Sequence, residues 1–504
     1  MRCFVPLLVA VSLGFPGVAA AESPFESALP APQLVLHGLP GESALPEPGP
    51  APAGAAAAPA KDPAAGTVDR TSLAPYVAPK RDFGLAAGEV ILLEVIPWSV
   101  NRYVNKSQFA YISMDTVRHN FETGFTYDRD NFKTDQSSHP YHGGLFFNAA
   151  RTNGYSFWES GAFAFFGSFL WETSMESEPP AINDLVNTTL GGMDRGEIMY
   201  RLSTALLDNT ARGGSRFWRE LGAAAINPIG SFNRLLRGEL NAKYENPPDR
   251  LPSRMVTDLE GFYSQRTGDI VGDENNGQGG LEIRLRYSDP FDGDHHKPYD
   301  WFDVKADLTY PASAFISRAE SRGVLFDGVL GCDGKTKQRL ALLLHFTYYD
   351  NSPIAFGAES FDLDHMLLLP IGHDAELRTE AGISGAPMAA LQVDYTDASM
   401  KVYGRSFDYG PAGGIHASAK IRRHEIDLLR VSYGVLWHST LDGLAKHSTV
   451  QSFTAEGRAP LFGDRFSAGV GWNWLSRLTT YDSPVPTVRK SGSSVRLFAA
   501  VTFR

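Results

Sequence analysis

The chain has 504 residues, 43% of them hydrophobic and 20% charged, with a formal net charge of −11 and a pI near 5.7. That length suits two or three domains, or one large barrel with additions. The acidic balance disfavours nucleic acid as a partner, since binding a phosphate backbone needs clustered Lys and Arg. With only two cysteines, Cys3 and Cys332, a disulfide framework and a cysteine-based zinc cluster are excluded.

Residues 1–21 carry Arg2 near their start, continue through an uncharged apolar run from Phe4 to Ala20, and end in Ala19-Ala20-Ala21 before Glu22. This is the pattern of a cleaved secretory signal peptide. Residues 22–80 are dominated by Ala, Pro, Gly and Ser. They carry too few bulky apolar groups to offset the entropy of ordering, which predicts a disordered tether. Order is expected from residue 81. The stretch GLAAGEVILLEVIPWSVNRYVN has helical spacing, with Val90, Leu93, Ile96 and Val100 on one face and a kink expected at Pro97. Its apolar run is expected to be too short to span a bilayer, which takes ~20 residues. A short amphipathic helix is predicted from Ser113 to Glu122. Asp128, Asp130 and Asp135 follow in TYDRDNFKTD. Their spacing suggests calcium, but the loop lacks the Gly and the closing Glu of a calcium-binding hand. A solvated acidic loop is the favoured reading.

The central stretch runs from His139 to Leu202. Ser156 and Glu159 form a capping-box pattern that starts a helix reaching about Met175. Pro179-Pro180 breaks it, and Ser177 or Asn183 caps a second helix through DLVNTTLGGMDRGEIMYRLSTALL. Gly167 is expected to let another backbone approach closely, and Gly191, Gly192 and Gly196 weaken the second helix by roughly 1 kcal/mol each relative to Ala, with tight helix–helix contact as the expected return. The two helices form an antiparallel hairpin. His142-Gly143-Gly144 is expected to make a turn against it. Further helices are predicted at Ser215–Ala225 and Pro228–Leu236, before a boundary at ENPPDRLPS.

From about Met255 the period changes to two. Leu281, Ile283, Leu285 and Tyr287 alternate with Glu282, Arg284 and Arg286; Val304, Ala306, Leu308 and Tyr310 alternate with Asp303, Lys305, Asp307 and Thr309. Many such strands mean a sandwich or a barrel. Full charges on the second face (Arg284, Arg286, Lys305, Asp307, Lys420, Arg422) suit a wet lumen better than a dry sandwich core, and strand-end aromatics such as Tyr310, Trp437 and Trp474 resemble interfacial girdles. The last strand, SSVRLFAAVTFR, resembles the C-terminal signal strand of bacterial outer-membrane proteins. The predicted class is therefore α+β: a helical module at 81–240 followed by a C-terminal antiparallel transmembrane β-barrel of about 10–12 strands at 254–504. Outer-membrane lipid and the barrel-assembly machinery are the expected partners.

The segments HPYHGGLFFNAARTNGYSFWES, GSFLWE, EPPAINDLVNTTLGG and GEIMYRLS together resemble the bacterial family known as domain of unknown function 3943, over roughly Tyr127 to Ser203. The resemblance implies an exported Gram-negative protein and supplies no reaction.

The named candidates for chemistry lie in this stretch; the barrel's His345, His365, His416 and His438 offer a compositional possibility with no fixed spacing. Glu172 and Asp184 could meet near the hairpin turn, and two close carboxylates can divide into acid and base. His142, in HPYHGG, is the third candidate catalytic residue. The favoured assignment is structural: Glu159 and Asp184 cap helices, and the other acids bind Arg195, Arg201 or backbone. A carboxylate di-metal bundle would need Glu-x-x-His pairs, which the two helices lack, so no metal or other cofactor is assigned. No nucleophile elbow and no phosphate-binding loop occurs. The function read from the sequence is an outer-membrane barrel with a periplasmic-side helical plug or organising module. The alternative is a membrane-embedded enzyme modifying lipid or lipopolysaccharide through the hairpin carboxylates.

Overall fold

The computed structural model describes residues 73–504, apart from 242–243, 270–275, 294, 312–313, 334 and 352–353. The expected signal peptide, and the tether up to residue 72, lie outside the described residues.

Helix α1 spans Phe83–Ser99, capped by the Asp82 carboxylate, which accepts from the Leu85 amide. Pro97 does not end it. A wide turn, Val100–Asn105, continues the helix to a 23-residue apolar length, ~35 Å at 1.5 Å per residue. Length alone is therefore enough to cross a membrane, which corrects the expectation of a short run. Helix α2, Met114–Thr123, carries a Ser113–Thr116 capping box.

Helix α3, His139–Arg151, replaces the turn expected at His142-Gly143-Gly144. Glycines there serve contact rather than chain reversal. A Cβ on Gly143 would lie 1.8 Å from the Thr188 carbonyl oxygen, and one on Gly192 would lie 2.5 Å from the Gly143 carbonyl carbon. Helix α4, Phe157–Leu170, has the predicted Ser156–Glu159 capping box. The second helix of the expected hairpin is divided into α5, Ile182–Val186, a wide turn, Asn187–Gly191, and α6, Gly192–Leu206. Helices α7, Gly213–Ile226, and α8, Pro228–Leu236, follow. Helix α3 is the centre of the module and packs on α4 and α6. Phe146, Phe147, Ile198 and Met199 are fully buried there, each contributing roughly 1.5–3 kcal/mol.

Twelve antiparallel strands close into a barrel in which each strand pairs with its sequence neighbour and the last pairs with the first. They are β1 (Met255–Gly268), β2 (Gly277–Tyr287), β3 (Phe302–Tyr310), β4 (Ile316–Asp333), β5 (Thr336–Asn351), β6 (Ile354–Ile371), β7 (Ala375–Gln392), β8 (Phe407–Arg423), β9 (Ile426–Ser439), β10 (Ala445–Phe462), β11 (Phe466–Tyr481) and β12 (Val488–Phe503). Helix α9, Thr396–Tyr403, lies between β7 and β8. Closure leaves no free edge.

Alternation sorts the two faces. Arg284 on β2 pairs with Glu456 on β10 at 2.8 Å, and Arg458 on β10 with Glu260 on β1 at 2.8 Å. Non-neighbouring strands can meet this way only across the lumen, so these charges point inward. On β4 the inward residues are Arg318, Glu320 and Arg322, which places Ala319, Ser321 and Gly323 outward.

The helical module meets the outward set. Ser321 and Tyr299 donate hydrogen bonds to Asp194 of α6, the latter at 2.5 Å. Arg195 lies over the outward Phe346 ring at 4.5 Å. Phe132 sits between Tyr348 and Phe407, 5.6 and 5.5 Å between ring centres. The contacts run from Tyr287 and Phe302, at the end of the barrel where β1 begins, to Phe407 and Tyr409, at the opposite rim. The sequence reading placed the helices on the periplasmic side as a plug or organiser packed against or into the mouth. The side chains place them against the outside of the wall, because the apolar outward face of β2–β8 offers cover that a lumen lined with ion pairs does not.

Candidate functional site

At that opposite rim the seam between module and barrel holds a buried group of acids. Local backbone geometry assembles it. Pro179 and Pro180 keep their segment extended, and it pairs with the acidic loop: the Thr126 amide donates to Pro180 at 2.8 Å and the Ile182 amide to Thr126 at 2.9 Å. This brings Asp128 beside Asn183 and Asp184. The Asn183 side-chain amide donates to Asp128 Oδ1 at 2.9 Å, Asp184 Oδ1 at 2.8 Å and Tyr409 Oη at 3.1 Å. The Tyr409 hydroxyl, from β8, donates to Asp135 Oδ2. Its ring stacks on Tyr127 at 5.8 Å.

Carboxylate oxygens of Asp128, Asp135 and Asp184 lie within 4.8 Å of one another, as do ligand atoms of Asp130, Asp135 and His139. His139 Nε2 is 3.6 Å from Asp184 and 3.9 Å from Asp130. Burial, then the neighbouring charges with Asp128 first, raises Asp135 and Asp184 well above the ordinary carboxylate range. Arg405 reaches this loop through the Asp128 carbonyl oxygen, at 2.8 Å, while also binding Asp442.

Of the three residues singled out from sequence, Glu172 and Asp184 are brought to the same turn and His142 is not. Asp184 belongs to the acidic group. Glu172 lies beside it, with Oε2 accepting from the Ala181 amide at 2.9 Å; it thereby pins the turn, and burial raises it to about 7. His142 faces the other way. Its Nε2 lies 3.2 Å from the Leu93 carbonyl oxygen of α1, and its ring stacks on Phe146 at 4.9 Å. The acids around Arg201 take a structural part, with Glu197 binding Arg151 at 2.7 Å and Arg201 at 2.9 Å. Tyr409 is the member of the site that sequence reasoning missed. It is 274 residues from Asp135, and no local pattern links them. Chemically, the group can bind a cation or share protons.

These features define a closed antiparallel barrel with a helical module fastened to its outer wall. Residues 124–229 match the model of a family described as Domain of unknown function (DUF3943), a span that takes in the acidic loop and helices α3 to α7. No curated protein matches the chain. Among solved structures, a NanC porin is similar at 12% identity and a TM-score of 0.25, over 49% of this chain and 98% of that one. A KdgM porin is similar at 7% identity and a TM-score of 0.21, over 49% and 99%. OmpT of Vibrio cholerae is similar at 9% identity and a TM-score of 0.18, over 49% and 98%.

Proposed function

We propose that this chain is an outer-membrane β-barrel protein whose helical module is immersed in lipid against one side of the wall, organising that wall without catalysing a reaction. One observation carries the reading: the outer helices α1, α4, α7 and α8 turn polar or small residues inward and large apolar ones outward. On α1, Glu89 and Glu94 are 4% and 1% exposed, whereas Leu92 and Ile96 are 51% and 59% exposed. On α4, Ser160, Gly161, Ala164, Gly167 and Ser168 face inward and Trp158, Phe165 and Phe166 outward. Helix α7 buries Arg216 and exposes Phe217, Trp218 and Leu221; α8 buries Asn233 and Arg234 and exposes Phe232, Leu235 and Leu236.

Water reverses this arrangement, and hydrocarbon favours it. Small residues then mediate helix contacts, and polar groups turn inward to find partners. The free side of the barrel continues the same surface with exposed Ile415, Trp437, Val470, Trp472 and Leu497, an apolar outer band over a charged interior. Short turns at 372–374, 424–425 and 463–465 share an end with both barrel termini, which supports a periplasmic position for that end. Of the enzyme alternative's groups, Glu172 and Asp184 adjoin, but Glu172 is engaged with the Ala181 amide and Asp184 with Asn183, and His142 faces α1, which favours the structural reading.

The test is fractionation combined with gel mobility and lipid quenching. The mature protein should partition with the outer membrane and run faster unheated than boiled. Brominated acyl chains should quench Trp158 and Trp218 in the reconstituted protein, judged by the loss of quenching in Trp158→Phe and Trp218→Phe. A soluble protein without a mobility shift would overturn the barrel placement. A shifted band with both tryptophans unquenched would overturn the immersion of the helices alone.

A further inference from the structure

We propose that Asp128, Asp135 and Asp184 hold a hard divalent cation of the calcium class, which ties the acidic loop and the α4–α5 turn to Tyr409 of the barrel rim. The assignment rests on side-chain positions and does not depend on the membrane placement.

Three observations converge on it. The first is spacing. Oxygens bound to one calcium ion at ~2.3–2.6 Å can lie no more than ~5 Å apart, and one oxygen from each of these three carboxylates falls within 4.8 Å of the other two. The second is an orphaned ligand atom. Asp135 is 0% exposed, its Oδ2 is taken by Tyr409, and its Oδ1 has no hydrogen-bond partner among the described residues. A buried acceptor left unpaired is costly, and a cation between the three carboxylates would satisfy it.

The third observation is charge. Asp128, Asp130, Asp135 and Asp184 crowd together, with Glu172 adjoining, against His139 and an Arg405 already engaged with Asp442. The donor set is oxygen-rich, which selects calcium-like ions over soft metals. The Asn183 amide nitrogen donates to one oxygen each of Asp128 and Asp184, which fixes the orientation of both carboxylates, as a supporting group orients a ligand. This is not a calcium-binding hand. Its ligands come from two segments 49 or more residues apart (Asp128 and Asp135, then Asp184), brought together by the Thr126–Ala181 pairing.

The probe is terbium, a calcium mimic excited through nearby tyrosine. The full mature protein is stripped with chelator in detergent and titrated with Tb3+. Saturable sensitised emission is expected, fed by Tyr127 and Tyr409 and displaced by Ca2+. Tyr127→Phe should lower the emission at unchanged affinity. Asp135→Asn and Asp184→Asn, checked for a retained heat-dependent mobility shift, should weaken binding at least tenfold. Absence of emission, emission that calcium does not displace, or unchanged affinity in both folded aspartate variants would each overturn the site. Should both variants fail to fold, calcium displacement and the Tyr127→Phe signal in otherwise native protein decide the matter.

Discussion

At the residue scale, the module is governed by what is missing from Gly143 and Gly192. Their Cα atoms meet where α3 crosses the start of α6, and a methyl group on Gly143 would overlap the Thr188 carbonyl oxygen. Backbone cannot yield as a flexible side chain can. Gly143→Ala should therefore destabilise the protein by at least the ~1–3 kcal/mol typical of overpacking. Gly88→Ala, where nothing lies within 4 Å, should be neutral or slightly stabilising. Urea midpoints of the fast-migrating band measure both. Asp208 offers a pH test in the loop after α6. Burial alone would raise its pKa, but the Thr210 hydroxyl, the Asn246 amide and the Thr210 N–H outweigh that and hold it at about 2. A depressed folded-state pKa stabilises the fold above the unfolded value of about 3.9, and the contribution fades as pH falls from there toward 2. Asp208→Asn should flatten the acid limb of the urea midpoint between roughly pH 4 and 2. An unchanged limb would show that Asp208 contributes nothing to it.

At the scale of elements, strands were more legible than helices, for a physical reason. Leu281, Ile283 and Leu285 alternate with Glu282 and Arg284 because one barrel face meets an apolar exterior and the other a charged lumen, so period two survives whichever face is wet. A helix reading assumes that apolar residues turn inward. Val90 does, but Ile96, assigned to the same face, is largely exposed while Glu94 is buried. Helix α3 was hidden because His142-Gly143-Gly144 carries the composition of a turn; its helical state follows from the partners that its glycines admit. Asp184 could be singled out as a polar residue in an aromatic setting, whereas its link to Asp135 and Tyr409 depends on barrel closure. The inversion of the helices predicts how substitutions will behave. Phe166 is exposed, whereas the next residue, Gly167, is buried and its missing Cβ accommodates Phe146. Phe166→Arg should cost roughly 2–4 kcal/mol in a bilayer, as for charges on a lipid-facing barrel surface, and Phe166→Leu should cost little. Equal tolerance of both, read by refolding yield into vesicles, would mean that this face meets water.

At the scale of the whole molecule, two polar systems hold opposite faces of one wall. Outside, Asp194, Tyr299 and Ser321 fasten the module to β4 and the β2–β3 connection. Inside, Arg284 binds Glu282 on its own strand and Glu456 across the lumen, with Glu260 at 3.7 Å. Arg496 joins Glu260 and Glu282 from β12 at 2.6 and 2.9 Å. The lumen network therefore connects β1, β2, β10 and β12 and, through Glu282, reaches Lys305 on β3 and Arg318 on β4, each at 3.5 Å, whereas the module braces β2 through β8 from the outer face. Arg284 has the most to lose, because removing it leaves Glu282 and Glu456 buried with fewer counter-charges. Breaking a buried ion pair by deleting one partner costs about 3–5 kcal/mol, whereas exposed pairs are worth ~0–1 kcal/mol. Arg284→Ala should lower the urea midpoint of the folded band by that larger amount, and Arg118→Ala, whose partner Glu122 is exposed on α2, should leave it unchanged. Because the two systems sit on separate faces, Arg284→Ala combined with Tyr299→Phe should be additive within the ~0.3–0.5 kcal/mol expected of independent sites. A larger coupling would mean that the module and the lumen network fold as one unit through the wall between them.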